Sequence, residues 1–202
     1  MNTNISKTIS YYDSNASDFA NGTADVVFTD IQDRFLSYIP KEGYILDFGC
    51  GSGRDTKYFL SKGFQVDAVD GSSKLCEIAS RNTGITVRKL LFSELDETEK
   101  YDGIWACASI LHLPKSELAH VFEKMIKAAR RSGVIYTSFK YGDFEGYRND
   151  RFFTDFTEDS MNEFLVKCSE IDVAEGWISS DVRPGREDEK WLNIILVKKT
   201  SC

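Results

Sequence analysis

Apolar residues along this chain fall into two alternating rhythms. Short runs have the length and apolar density of buried strands: Tyr44–Phe48 (YILDF), Phe64–Val69 (FQVDAV), Ile85–Leu91, Tyr101–Ala108 (YDGIWACA) and Gly133–Phe139 (GVIYTSF). Between them lie stretches of helical spacing. Arg54–Ser61 is one, ending at Gly63, and Ser72–Ser80 is another, with Leu75, Ile78 and Ala79 on one face. A long helix is predicted from about Pro114 to Arg130, where Leu118, Val121, Phe122, Met125, Ile126 and Ala129 recur at intervals of three and four. Ahead of the first strand, about Val26–Ile39 reads as a helix with Val27, Ile31, Phe35 and Ile39 inward. Strands that alternate with helices imply βαβ units and a parallel sheet.

After Phe139 the rhythm changes. Lys140–Phe156 reads as an aromatic, charged loop. Thr157 is placed to cap a helix through Lys167, with Glu158 and Asp159 in its first turn. Two more strands are predicted, about Glu170–Ile178 and Trp191–Lys198. There is no internal repeat, and three prolines leave little room for a stiff linker. The 202 residues are therefore expected to form a single α/β domain, with residues 1–40 as a helical lid segment and 41–202 as the core.

The strongest chemical signal is Ile45–Thr56, ILDFGCGSGRDT, in which a strand runs into three glycines and a helix follows at once. Glycine is needed where the chain turns sharply or where backbone must touch a ligand. The helix start offers unpaired N–H groups, and the carboxyl edge of the first strand is where open α/β sheets bind ligands. About twenty residues on, the second strand ends in Asp70-Gly71-Ser72, an acid suited to ribose hydroxyls. Dinucleotide folds favour G-x-G-x-x-G, but here Arg54 occupies the third glycine's place after Gly49 and Gly51, with Gly53 before it. Asp47, two residues ahead of Gly49, would repel a pyrophosphate and attract an ammonium.

Charge and composition narrow the partners. With 25 basic and 32 acidic residues the net charge is −7, which opposes broad binding to a phosphate backbone. Two histidines, and five cysteines with no CxxC pair, give neither a zinc pattern nor a disulfide framework, so no metal is expected. The N-terminus lacks an apolar signal core and no run is long enough to span a bilayer, so a cytoplasmic monomer or homodimer without membrane contact is expected.

At these residues the sequence resembles the class I S-adenosylmethionine-dependent methyltransferases. LDFGCGSGRDT is similar to their first motif, AVDGS (Ala68–Ser72) to their second, and YDGIWACASILHLP to the fourth-strand motif. The Gly-Arg-Asp continuation resembles the tellurite-resistance-type branch. The resemblance implies a doubly wound, Rossmann-like fold: a mostly parallel seven-stranded sheet with an antiparallel last strand and helices on both faces. It also implies S-adenosyl-L-methionine as cofactor. Asp47, with Gly49, Cys50, Gly51, Gly53 and Arg54, would hold the methionine part. Asp70, Gly71 and Ser72 would hold the ribose, Leu91 and Phe92 would flank the adenine with Ser93 or Glu94 near its amino group, and Cys107 and Ala108 would pass beneath. Tyr11 or Tyr12 would close over the cofactor.

Methyl transfer from a sulfonium is an in-line displacement that asks mainly for orientation and exclusion of water. His112, just past the fourth strand, is the candidate base where one is needed, with Tyr11 and Tyr12 as further catalytic candidates. Acceptor selection is assigned to Lys140–Phe156 and Gly176–Lys190, which supply Tyr141, Arg148, Arg151, Arg183 and Arg186, with Trp191 opening the last strand. Arginines suit carboxylate or phosphate, although each could equally be a solvated surface residue. The leading expectation is a methyltransferase for a small molecule. The alternatives are a tRNA or nucleic-acid base methyltransferase, a non-catalytic cofactor-binding module, and a nicotinamide-dependent reductase.

Overall fold

The computed structural model describes residues 3–24, 26–183 and 185–200. Two helices, α1 (Thr3–Ser14) and α2 (Ala16–Ala24), precede α3 (Thr29–Leu36). The core then runs β1 (Tyr44–Phe48), α4 (Arg54–Ser61), β2 (Gln65–Asp70), α5 (Ser73–Thr83), β3 (Arg88–Lys89), β4 (Tyr101–Ala106), α6 (Lys115–Ala128) and β5 (Ala129–Lys140). A hairpin of β6 (Glu145–Arg148) and β7 (Arg151–Thr154) leads to α7 (Glu158–Leu165), β8 (Ile171–Ser180) and β9 (Lys190–Lys198). The seven-stranded sheet has the order β3-β2-β1-β4-β5-β9-β8, parallel from β3 to β5 and antiparallel at β9. This is the doubly wound α/β architecture expected from the alternation.

Side chains alternate across the sheet. Leu46, Phe48, Ile104, Ala106, Ile135 and Leu196 face the cluster built with α6 and α7. Ile45, Trp105, Val134, Tyr136 and Ile195 face the opposite cluster, completed by Phe35, Ile39 and Phe59 from the α3 and α4 side. Trp105 stacks on Tyr136 with ring centroids 4.1 Å apart and planes 17° from parallel. The indole N–H of Trp105 donates to Asp55 at 2.9 Å. Asp55 also accepts from Gln32 at 2.7 Å and from Arg54 through two bonds of 2.8 and 2.9 Å. One buried carboxylate thus joins α3, α4 and β4, and its place in the first turn of α4 suits the helix dipole.

Several boundaries differ from the sequence expectation: the helix before β1 is only Thr29–Leu36, leaving Val27 outside it and 75% exposed, and three further departures have a local reason. The long helix ends at Ala128, not near Arg130, because Glu99 and Lys100 donate their N–H groups to the carbonyls of Lys127 and Ala128 and Ala129 already pairs with Tyr101 in the sheet. The third strand shrinks to two residues, and Phe92–Glu94 forms a 3-10 turn tied by the Glu94 carboxylate to the Leu91 N–H. Lys140–Phe156 is no plain loop. Asn149 and Asp150 both adopt left-handed backbone, φ 47° and 64°, which is what a two-residue hairpin turn requires, and Tyr147 pairs across it with Phe152.

Removing the Asp55 carboxylate leaves the buried donors of Gln32 and Trp105 and the half-buried Arg54 without their acceptor. Asp55→Ala is expected to destabilise the fold by about 3–5 kcal/mol, the range for breaking a buried ion pair on one side. Asp55→Asn, which keeps one acceptor oxygen, should lose less. Urea denaturation of the two variants measures both, and a midpoint for Asp55→Ala within error of wild type would contradict this account.

Candidate active site

The parallel strands end along one sheet edge. There the segments after β1, β2 and β4, roofed by α1 and α2, enclose a cavity of about 400 Å³. Its floor is the Gly49–Ser52 loop. Gly49 and Cys50 both donate their N–H groups to the Val69 carbonyl, at 2.9 and 3.0 Å, which ties the loop to the end of β2. Gly49 has φ 88°, and an added Cβ would lie 2.5 Å from the Ser109 Cβ, so no side chain fits there. Gly51, at φ 57°, has the ring of Phe19 from α2 directly over it.

Asp70 latches this loop. Its carboxylate accepts from the Gly51 N–H at 2.9 Å and from the Ser72 N–H at 2.8 Å. Burial pushes its pKa up to about 6 against those stabilising bonds, and the nearby Asp13 adds to the rise. Asp70 lines the cavity, and a carboxylate has acceptor capacity beyond these bonds for a hydroxyl donor. Ser72 caps α5 by accepting from the Leu75 N–H and donates its own proton to Asp13 of α1 at 2.6 Å. Gly71, Leu91, Phe92, Ser93, Cys107 and Ala108 line the same cavity. Glu94 is not among the lining residues, its carboxylate being engaged by Leu91.

Two residues assigned to the cofactor lie elsewhere. Asp47 is 2% exposed, is absent from the cavity wall, and accepts from the Thr56 hydroxyl at 2.5 Å. Burial, and then the neighbouring Asp55 carboxylate, raise its pKa. Gly53 also lies off the wall. At φ 83°, its missing Cβ makes room for Thr83 and Ala79 of α5, so it serves helix packing. The sequence reading missed Asp55, which lines the cavity beside Arg54 while holding it. It also missed Asp13, Ser109 and Asp181, whose partners Ser72, Phe48 and Lys140 lie far along the chain.

The roof and far wall meet at His112. Its Nδ1 is 2.6 Å from the Phe152 carbonyl and its Nε2 2.8 Å from the Tyr12 hydroxyl. A carbonyl only accepts, so Nδ1 carries the proton and Nε2 accepts from Tyr12. Burial holds the His112 pKa down at about 4, with a further push from the Arg151 charge. Tyr12 packs edge-on against Phe19 at 5.2 Å and its own pKa is raised by burial. Tyr11 is not on the cavity wall; it packs against Tyr12 and under the Arg151 guanidinium.

Of the residues assigned to the acceptor, Arg151, Arg183, Arg186 and Trp191 line the cavity, together with Lys140 and Asp181. Tyr141 and Arg148 lie outside it. Arg148 grips Asp155 through two bonds, and Tyr141 is 39% exposed, its backbone N–H paired with Lys190. Among the described residues no group of His, Cys, Asp and Glu could hold a metal ion. Cys50, Cys76, Cys107 and Cys168 are free thiols, and Cys202 lies outside the described residues. No described helix is long and apolar enough to cross a membrane.

Comparison with known proteins agrees with this geometry. Residues 45–133, from β1 into β5, match the model of a methyltransferase domain. A methyltransferase of uncharacterised specificity from Staphylococcus carnosus is 26% identical over 132 residues, covering 62% of this chain and 64% of that protein's length. The 1,6-didemethyltoxoflavin-N1-methyltransferase of Burkholderia thailandensis, solved with its substrate and S-adenosylhomocysteine, superposes with a TM-score of 0.78 at 22% identity, over 96% of this chain and 88% of that one. The magnesium protoporphyrin IX methyltransferase of Synechocystis PCC 6803, solved with S-adenosylmethionine, gives 0.72 at 16% identity over 98% and 99%. The glycine loop, the acid ending β2 and the strand order together give the fold of the class I S-adenosylmethionine-dependent methyltransferases, and residues 45–133 carry the match to a methyltransferase domain.

Proposed function

We propose that this protein transfers a methyl group from S-adenosylmethionine to a small-molecule acceptor. The observation that carries the reading is continuity. The glycine cradle and Asp70 open into the same roofed cavity as Tyr12, His112, Arg151 and Trp191, so cofactor and acceptor would share one enclosed space. The chemistry of the walls fits the cofactor. Asp70 has lone pairs for a ribose diol, Leu91 and Phe92 offer apolar faces for an adenine, and the N–H groups of the Gly49–Ser52 loop suit the amino-acid end. The aromatic faces of Tyr12 and Phe19 suit a sulfonium. When bound, S-adenosylmethionine supplies an activated methyl on that sulfonium.

The chain's own work is then orientation and exclusion of water. The rings of Tyr12 and Phe19 and the apolar side chains Ile5 and Ile9 close the roof. His112, with a pKa near 4, is a weak base, and its free lone pair is spent on Tyr12. Its role is to set the Tyr12 hydroxyl, and the acceptor is one whose nucleophilic atom needs no strong base. The 1,6-didemethyltoxoflavin bound in the Burkholderia thailandensis enzyme supports a small acceptor, and so does the cavity volume, which is in the range of small-molecule sites. The free thiols suit a reducing compartment such as the cytoplasm.

The cofactor assignment is checked by calorimetry. S-adenosylhomocysteine and S-adenosylmethionine should bind and NAD should not. Asp70→Asn should weaken S-adenosylhomocysteine binding by about 1–3 kcal/mol, the range for a hydrogen bond to a charged group. Binding of NAD with no response to either adenosyl ligand would sink the assignment, and a screen of small acids, amines, metalloid oxyanions and tRNA with labelled cofactor reads the transfer itself.

The depressed His112 pKa has a consequence for stability. Between the ordinary value of about 6.5 and the folded value of about 4, the unfolded chain binds a proton that the folded chain does not. This contribution is therefore fully present above pH 6.5 and is lost as pH falls through that window. At pH 5 it should amount to a loss of about 2 kcal/mol relative to pH 7. Asp47 and Asp70 titrate with the opposite sign, so the comparison is with His112→Gln, in which the pH 7 to pH 5 loss should shrink by that amount in urea denaturation.

A further inference from the structure

The four arginines of the two acceptor segments divide by their partners. Arg148 sets both terminal nitrogens on Asp155, at 2.8 and 2.6 Å. Arg183 grips Asp181 through Nε and Nη2, at 2.8 and 2.5 Å. Arg186 faces Glu189 at 3.7 Å. Arg151 has no carboxylate partner among the described residues. Its guanidinium lies over the rings of Tyr11, Phe153 and Tyr12, at 4.7, 5.2 and 5.8 Å, and Nη1 is 3.5 Å from the Tyr12 hydroxyl. Its Nε is buried with no hydrogen-bond partner.

A guanidinium in a protein does not lose its proton, so this charge persists at every working pH. Aromatic faces attract a cation but do not use the planar fork of donors, and a buried donor left unpaired is unfavourable. The other three arginines show that this chain supplies an acid where an arginine is only to be held. Arg151 instead lines the cavity with no acid among the described residues to match it, its donor contact being the long one from Nη1 to the Tyr12 hydroxyl, and Phe153 beside it and Ile5 and Leu111 on the same cavity lining are apolar. It is also set apart from the glycine cradle. Contacts run from Arg151 to Tyr12, from Tyr12 to Phe19, and from Phe19 to Gly51.

We propose that Arg151 determines acceptor specificity: the acceptor is a small, largely apolar molecule bearing a carboxylate-type anion, and the Arg151 fork receives that anion. The proposal rests on the methyltransferase reading of the cavity. It places the anion beside Tyr12 and His112, on the far side of the two rings from the cradle, so the rest of the acceptor lies along the apolar wall. The same carboxylate chemistry exists on the amino-acid end of the cofactor, and the test separates the two sources.

The probes are benzoate and phenylacetate, each against its uncharged amide, added to protein saturated with S-adenosylhomocysteine and followed by thermal shift and calorimetry. In the wild type each acid should bind at least about tenfold tighter than its amide. Arg151→Gln should abolish that preference, and Arg151→Lys, which keeps the charge and the cation–π contacts but lacks the fork, should reduce it. Arg148→Lys should leave it intact, and S-adenosylhomocysteine affinity should stay unchanged in all three. Equal binding of acid and amide, no binding of either, or a preference that survives Arg151→Gln overturns the proposal. Loss of S-adenosylhomocysteine affinity in both Arg151 variants also overturns it and assigns the fork to the cofactor's carboxylate. Failure of the wild type to bind S-adenosylhomocysteine, read before any acid is added, instead removes the methyltransferase reading on which the proposal stands.

Discussion

A buried carboxylate is tolerable in a protein core only when every donor around it is satisfied, and Asp55 meets that condition through Gln32, Arg54 and Trp105. The consequence reaches well beyond one residue. Trp105 is pinned at its N–H and stacked on Tyr136, so β4 and β5 are registered against α4 by a polar bond and a ring contact together. The start of α4 is also the end of the glycine loop, so the position of the cavity floor is fixed by what Asp55 holds. Arg54 is turned onto the cavity wall by the same bonds, as a cation already matched by an anion rather than one awaiting a ligand.

The second acid of the floor works differently. Asp70 accepts from backbone on both sides of the cleft, Gly51 and Ser72, so the two loops that would touch a nucleoside are held by one side chain that the nucleoside would also use. Loop geometry and ligand recognition are not separable there. Asp47 shares the neighbourhood but is spent internally on Thr56. Burial raises the pKa of both Asp47 and Asp70, and a neighbouring carboxylate adds to each rise, Asp55 for Asp47 and Asp13 for Asp70.

What was legible in the sequence follows from how local the determinant is. The β1–α4 unit came out with the expected bounds, because a buried strand, a glycine turn and a helix are specified within eighteen residues. The seven-stranded sheet followed from alternation and from the family resemblance. The hairpin after β5 was read as a loop because its turn signal, Asn149-Asp150, carries no glycine and its strands are four residues each. Asp47 was read as a ligand contact because its carboxylate suits an ammonium, and Gly53 because it belongs to the glycine run that the family resemblance assigns to the cofactor. Only the packing of Thr56 and of Thr83, from other turns, shows where they point. Asp55 and Asp13 were invisible for the same reason in reverse: their partners lie on other elements.

The N-terminal helix is the element whose position is least local of all. Tyr12 reaches His112 and Asp13 reaches Ser72, while Thr8 accepts from the Phe152 N–H and Lys7 pairs with Asp150. One helix of twelve residues therefore fastens to the start of α5 at one wall of the cavity and to β7 at the other. A stiff helix cannot lift from one wall without loosening its hold on the other. Through Tyr12, the same helix reaches both His112 and Arg151 on the cavity wall. With cofactor and acceptor bound as proposed, this one helix would both exclude water and complete the acceptor wall, which is what a displacement on an activated methyl asks of the protein.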